Sequence, residues 1–337
     1  MSATERQAPL LEIQGLTKEF RQGKDRILAV HALDLDIRKG EVFGLVGESG
    51  CGKSTLGQML VRLLEPTSGQ VLFHGQDVTH PSRGERKELC RKMQIVFQDP
   101  YSSIDPNKTI GWLVEEPLKI HGIGKTRQER DEKVSQVLRA VGLDDSYRTR
   151  WPNELSGGQR QRVAIAIALI LDPEFMVCDE PVSALDVSVQ AQVLNLLLDL
   201  RKSYGLTYLF ISHDLNVVSY MSDRIGVMYL GNLVELGDGD TLSRNPLHPY
   251  TEALFSASME GEGERIILSG DLPSPAHPPV GCPFHTRCFA CTDRCKLEKP
   301  RLREFEGGRF CACHRVEERT GLRPVEELSF AEKENAR

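Results

Sequence analysis

The stretch Gly47-Glu48-Ser49-Gly50-Cys51-Gly52-Lys53-Ser54-Thr55 has the residue types and spacing of a loop that cradles phosphate. Glycines 47, 50 and 52 let backbone N–H groups close around phosphate oxygens, and a following helix N-terminus adds partial positive charge. Lys53 then reaches the β- and γ-phosphates, and the Ser54 hydroxyl ligates Mg²⁺. Further along, Val177-Cys178-Asp179-Glu180 ends an apolar run in two acids. Alone, such a pair reads as a solvated acidic turn. Downstream of a phosphate loop, Asp179 is predicted to hold the Mg²⁺ shell and Glu180 to orient or deprotonate the attacking water. His213 follows the apolar run Thr207–Ile211, where a side chain could touch a γ-phosphate. A second loop, Leu155-Ser156-Gly157-Gly158-Gln159, precedes an apolar helix and makes another anion-binding helix terminus. One nucleotide does not need both loops from one subunit. A head-to-tail dimer satisfies them, each signature loop closing over the triphosphate held by the partner's equivalent of Lys53.

These residues need a scaffold, and the chain reads as α/β. Glu41–Val46 is predicted as a buried strand entering the phosphate loop and Thr55–Leu64 as the helix leaving it. Phe175–Asp179 and Thr207–Ile211 read as buried strands with a long helix, Asp186–Ser203, between them. That alternation predicts a mainly parallel sheet covered by helices. Leu10–Gln14 and Leu28–Ile37 suggest an antiparallel β subdomain. No internal repeat is visible, so one nucleotide cassette is expected. The 337 residues leave room for about two domains and a substantial core. A net charge of −6 argues against a general affinity for nucleic acid. The N-terminal residues lack the apolar core of a signal peptide, and the longest strongly apolar run, Val163–Leu171, is too short to span a bilayer. A soluble or peripherally bound protein of the cytosol is expected, its nine cysteines reduced or ligating metal.

Taken together, these motifs resemble the ATP-binding subunits of ABC transporters over residues 10–245. The resemblance makes Gly47–Thr55 the Walker A loop, Leu155–Gln159 the signature, and Asp179 and Glu180 the Walker B acid and catalytic base. It makes Gln98, in Val96-Phe-Gln98-Asp-Pro100, the glutamine that senses Mg²⁺ and faces the membrane subunits. Ser183–Asp186 becomes the D-loop, His213 the switch histidine, and Phe20 falls at about the position of the adenine-stacking aromatic. No catalytic position departs from the family pattern, so an ABC-type P-loop ATPase cassette with an α-helical signature subdomain is implied. A soluble ABC protein acting on ribosomes or DNA is the competing class. Such proteins carry two cassettes or a long coiled coil, and this sequence has one cassette and no sustained heptads.

Beyond residue 245 the chain resembles the subunits of dipeptide and oligopeptide importers, through Asn245–Thr251, Gly270–Pro275 and Gly281–Cys288. Tyr101–Pro106 and Pro181–Ser188 resemble the F-type subunit, which implies pairing with a related D-type ATPase. The partners implied are that second ATPase in a heterodimer, two transmembrane permease subunits and an extracytoplasmic substrate-binding protein. The implied location is the cytoplasmic face of the inner membrane. Nickel chelates, opines and oligosaccharides travel through similar systems, and this chain does not touch its cargo. The region from Tyr101 to Leu118, with Trp112 and Pro117, is where the family receives the coupling helix of the membrane subunit.

Six of the nine cysteines lie between positions 282 and 313, a density that spacing alone reads as an iron–sulfur cluster, a tetrahedral zinc site or a cluster without metal. The family's four positions match Cys282, Cys288, Cys295 and Cys313, which hold a [4Fe–4S] cluster in some members. Cys291 and Cys311 are additional, leaving ligand exchange open. Cys51, Cys90 and Cys178 read as packing residues. The expected organisation is a flexible N-terminus (1–9), the ATPase domain (10–245), a cysteine-bearing extension (246–316) and a charged, frayed tail (317–337).

Overall fold

The computed structural model describes residues 8–23, 25–99, 103–258 and 265–327. Pro100, Tyr101, Ser102, Met259 and the end of the tail, which figure in the sequence reading, lie outside the described residues. The described residues form two compact units, one drawn from 1–56, 65–79 and 212–337, the other from 57–64 and 80–211.

The first unit opens with an antiparallel sheet. Strands Pro9–Gln22 and Asp25–Arg38 pair along their length, and Ser68–Phe73 joins the other edge of the first. Leu33, Leu35 and Ile37 are buried at alternate positions, the period-two pattern of a strand with one face on a core. These strands run past the expected Leu10–Gln14 and Leu28–Ile37. The ladder continues through Lys18, Glu19 and Phe20, because backbone pairing needs no apolar side chain.

Val42–Val46 is buried at every position and pairs in parallel with Arg224–Tyr229. Burial on both faces is what a strand in a covered parallel sheet requires. Arg224–Tyr229 pairs antiparallel with Asn232–Asp238, which in turn takes on Arg309–Cys311 and Arg303–Phe305. A hairpin from beyond residue 300 therefore completes a sheet begun by the strand that carries the phosphate loop. Leu247, Phe305, Cys311 and Val316 enclose a small core beside it, with Cys313 and Leu322 packed on. Residues 265–292 form no helix or strand. A helix, Val316–Thr320, with Val316 fully buried, runs into the stretch expected to fray. One apolar anchor offsets the charged residues around it.

The second unit contains the parallel strands Met93–Val96, Phe175–Asp179 and Thr207–Ile211 in register. Val187–Tyr204 connects the last two, stopping at Gly205 in the left-handed conformation with φ 65. Asp186 is its N-cap and not its first helical residue. Helices Ile110–His121, Arg127–Ala140 and Gly157–Leu169 also belong to this unit. The mixed-charge run at 83–92 is a helix with a solvated face, with Leu89 as its buried residue and a Ser82/Glu85 capping box.

The helix after the phosphate loop runs from Lys53 to Leu60, earlier at both ends than expected. Arg62 takes φ 65, and both Leu63 N–H and Leu64 N–H turn back to Gln58 O. The apolar run continues to Leu64, but the backbone has already left the helix.

Candidate functional site

The assigned residues divide between the units: Phe20, Gly47–Thr55 and His213 in the first, Gln98, Ser156–Gln159, Asp179, Glu180 and Asp186 in the second. In the first, the phosphate loop leaves a fully buried strand and enters a helix, with Leu56 N–H donating to Gly52 O. Its rim, Ser49, Gly50 and Ser54, is exposed, while Cys51 and Lys53 are buried. Gly52 has φ 106, and a Cβ there would lie 2.1 Å from Ala29 O, so only glycine fits.

Lys53 is 5% exposed. Its ammonium donates to Gly47 O at 2.7 Å and Glu48 O at 3.1 Å and lies 3.8 Å from Cys51 Sγ. Burial holds the Cys51 thiol above its ordinary pKa against the pull of Lys53, so it stays neutral. A buried ammonium whose hydrogen-bond partners carry no charge is held in readiness for an anion. The residues fit a nucleotide triphosphate on this ground.

Tyr250 and Arg287 also touch this loop. Glu48 N–H donates to Tyr250 Oη at 2.9 Å, and Arg287 Nη1 donates to Glu48 Oε2 at 2.7 Å. Sequence reading quoted both residues as markers of the extension and gave them no role here. Their separations from Glu48, 202 and 239 positions, leave no local signal. His213 is exposed immediately beyond Ser212, whose N–H donates to Leu45 O. Phe20 is 38% exposed, with the Lys18 ammonium 5.2 Å from its ring.

In the second unit Asp179 ends the strand Phe175–Asp179 and is 6% exposed. Glu180 follows with φ 48, a left-handed conformation costing about 1–2 kcal/mol for a residue with a side chain. Its N–H donates to Ile211 O at 2.9 Å, and Ser183 Oγ donates to Glu180 O at 3.1 Å. The strained turn is thus fixed from both sides, a pattern that concentrates at functional positions. Gln98 Nε2 donates to Glu180 Oε2 at 2.9 Å. The structure therefore brings together two residues that the sequence placed 82 positions apart.

Ser156 is the N-cap of Gly157–Leu169. Its hydroxyl accepts from Gln159 N–H, and Gln159 Oε1 accepts from Ser156 N–H at 3.0 Å, a reciprocal capping box. The first-turn amides at Gly157 and Gly158 have no partner within the helix, as at any helix start. Asp186 caps Val187–Tyr204 through its carbonyl, which accepts from Val189 and Gln190, and its side chain makes no cap hydrogen bond.

The cysteines of the extension converge without forming ligand geometry. Among the described residues, no three His, Cys, Asp or Glu side chains stand at the spacing of a metal site. Burial pushes Cys282 up to about 12 and Cys288 to about 11, with neighbouring thiols adding to both. Cys295, Cys313 and Cys288 act on Cys282, and Cys313, Cys291 and Cys295 act on Cys288. Cys311 is fully buried in the core with Leu247, Phe305 and Val316, on a strand paired to Glu235 and Leu236.

A glycine-rich loop between a buried parallel strand and a helix, around a buried lysine, is the construction of a P-loop nucleoside triphosphatase. Residues 30–183 match the family described as ABC transporter, and residues 234–295 match the oligopeptide/dipeptide transporter C-terminal region. The putative oligopeptide transport ATP-binding protein YkfD of Bacillus subtilis (strain 168) is 52% identical over 316 residues, 92% of this chain and 96% of the relative. The oligopeptide transport ATP-binding protein AppF of the same organism is 49% identical over 322 residues, 91% of this chain and 98% of the relative. Among solved structures, the dimeric post-hydrolysis state of the ATP-binding cassette MJ0796, bound to ADP and Pi, superposes with a TM-score of 0.62. It is 30% identical, over 68% of this chain and 98% of that one. This chain belongs to the ATP-hydrolysing subunits of ABC transporters, in the oligopeptide/dipeptide transporter family.

Proposed function

We propose that this chain couples MgATP binding and hydrolysis to the uptake of dipeptides or oligopeptides. The observation that carries the reading is the presence, in one chain, of the ABC transporter match and the peptide-transporter C-terminal match. The buried Lys53 ammonium, hydrogen-bonded to Gly47 O and Glu48 O, and the Gln98–Glu180 hydrogen bond support the chemistry.

Lys53 would meet γ-phosphate charge, with Gly47–Thr55 supplying amides to the phosphates. Ser54, Gln98 and Asp179 would hold Mg²⁺, which when bound neutralises charge on the phosphates. Glu180 would orient the attacking water as general base, His213 would contact the γ-phosphate, and Phe20 would stack on the adenine. Ser156, Gly157, Gly158 and Gln159, with Asp186, would complete the site of a partner in a head-to-tail ATPase dimer. That partner is a second, related ATPase, and the assembly includes two permease subunits and an extracytoplasmic binding protein. The chain would lie peripherally on the cytoplasmic face of the membrane. Among the described residues no helix is long and apolar enough to cross one.

The extension would hold a [4Fe–4S] cluster or zinc through Cys282, Cys288, Cys295 and Cys313. The family pattern supports the choice of these four positions, and a bound metal would tie folding of the extension to its ligands. Native mass spectrometry of the tagged protein, extracted anaerobically from membranes, tests the whole reading. Two permeases, a second ATPase and a mass increment for four irons and four sulfides are expected. A homodimer without membrane partners would overturn the importer reading, and a complex without the increment would remove the cluster from it.

A further inference from the structure

Glu48, the second residue of the phosphate loop, is held at both its backbone and its side chain by the C-terminal part of the chain. Its N–H donates to Tyr250 Oη at 2.9 Å, and its carboxylate accepts from Arg287 Nη1 at 2.7 Å. The Arg287 and Glu48 side chains are only 10% and 25% exposed, so this ion pair is shielded in a way that surface pairs are not.

Both braces stand on packed supports. The Tyr250 ring is fully buried, 4.7 Å from Tyr229 and 5.3 Å from Phe284 between centroids. Phe284 is itself fully buried, and Arg287 N–H donates to Phe284 O at 3.0 Å, tying the arginine's backbone to that cluster. On its other side Glu48 O accepts from Lys53 Nζ at 3.1 Å. One residue of the loop thus links the buried lysine to the extension.

We propose that Arg287, assisted by Tyr250, is a positioning residue of the nucleotide site, by which the extension fixes the phosphate loop and sets affinity for MgATP. The proposal rests on the reading of the Lys53 loop as that site. Two physical effects act together. Anchoring Glu48 spares the loop part of its ordering cost when phosphate arrives. Neutralising Glu48 removes a carboxylate charge that would otherwise repel the polyphosphate in a partly desolvated setting. Both effects concern binding and leave the chemical step to other residues, so they fall on KM and not on kcat.

The test uses the full-length chain for binding of a fluorescent ATP analogue with Mg²⁺, and the intact transporter complex for steady-state hydrolysis. Arg287→Met is expected to weaken binding and raise KM about tenfold while kcat changes by less than about twofold. Arg287→Lys, which keeps the charge, should recover most of the loss. Glu48→Gln combined with Arg287→Met should bind better than Arg287→Met alone, because the unmasked charge is gone. Tyr250→Phe keeps the buried ring and should weaken binding about threefold, which preserves the test if Arg287→Met folds poorly. Melting without nucleotide should stay near wild type for Arg287→Lys and Tyr250→Phe. Unchanged affinity in both Arg287→Met and Tyr250→Phe would overturn the proposal. So would an Arg287→Lys as weak as Arg287→Met, or a double variant whose losses multiply. Wild-type protein that fails to bind the analogue would overturn the nucleotide-site reading itself, before any variant is compared.

Discussion

Glu180 occupies a left-handed turn fixed by Ile211 O and Ser183 Oγ, and its carboxylate is oriented by Gln98 Nε2. A glutamine there is isosteric and keeps an acceptor for Gln98, so the turn survives while the basic oxygen is lost. Glu180→Gln is expected to bind ATP as wild type does and to lose turnover by about 10²–10⁴-fold. Equilibrium binding and phosphate release measure the two quantities separately. A second residue-scale effect concerns pH. His248 Nδ1 accepts from Tyr250 N–H at 3.1 Å, and burial depresses its pKa to about 3. Burial raises the neighbouring Glu235 to about 7, against hydrogen bonds from Leu247 N–H and His248 N–H. Below pH 6.5 the unfolded chain protonates His248 and the folded chain does not, so this group costs stability as pH falls from 6.5 to about 3. Glu235 acts oppositely: the folded chain holds its proton between 4.5 and about 7, so stability rises as pH falls through that window. The two oppose each other from 6.5 to 4.5, and below that only the His248 loss remains. His248→Gln should therefore gain stability relative to wild type as pH falls, seen as a difference in Tm that grows from pH 7 to pH 4.

At the scale of elements, the signature loop and its helix depend on a close approach at Gly158. A Cβ there would lie 2.4 Å from Val189 Cγ1, in the first turn of Val187–Tyr204. The half-buried Val189 has some room to move. Gly158→Ala should thus destabilise the chain by about 1–3 kcal/mol, the usual range for overpacking. Because the shift falls at the start of Gly157–Leu169, it should also displace the capping box of Ser156 and Gln159. Thermal melting measures the first effect, and ATPase activity of the assembled dimer the second. The strands at this scale were legible in advance. Phe175–Asp179 and Thr207–Ile211 fall where their apolar runs placed them, because burial on both faces favours a nearly continuous apolar strand. The helix after the phosphate loop was legible in kind but not in length, since its apolar pattern outlasts the turn at Arg62.

Over the whole molecule, the segment beyond residue 245 is part of the structure that holds the phosphate loop. Leu247 N–H and His248 N–H satisfy the carboxylate of Glu235, which is 1% exposed, at 2.7 and 2.8 Å. The hairpin strand Arg309–Cys311 pairs with Asn232–Asp238. A chain ended after Asn245 loses those donors, exposes a strand edge and strips the partners of Glu48. An unsatisfied buried group of this kind costs about 1–3 kcal/mol or more, and open edges promote aggregation. The truncated chain is expected to give less soluble protein, to melt lower than the full chain, and to bind nucleotide more weakly than the truncation of residues 328–337 alone.

What the sequence determined by itself was local: the glycine spacing of the phosphate loop, the acids closing a buried strand, the Ser156–Gly158 run ahead of an apolar helix. Each follows from interactions among residues a few positions apart, so residue order carries it. The motifs also sufficed for the family, because several specific patterns occur in one chain. Tertiary structure decided which distant groups complete those local features. Gln98 meets Glu180, and Tyr250 and Arg287 meet Glu48, across 82 to 239 positions. It also set Cys311 in a small core with Leu247, Phe305 and Val316. Spacing could not reveal these contacts, because side chains far apart in the chain become neighbours only when sheet pairing and burial of apolar faces bring their elements together.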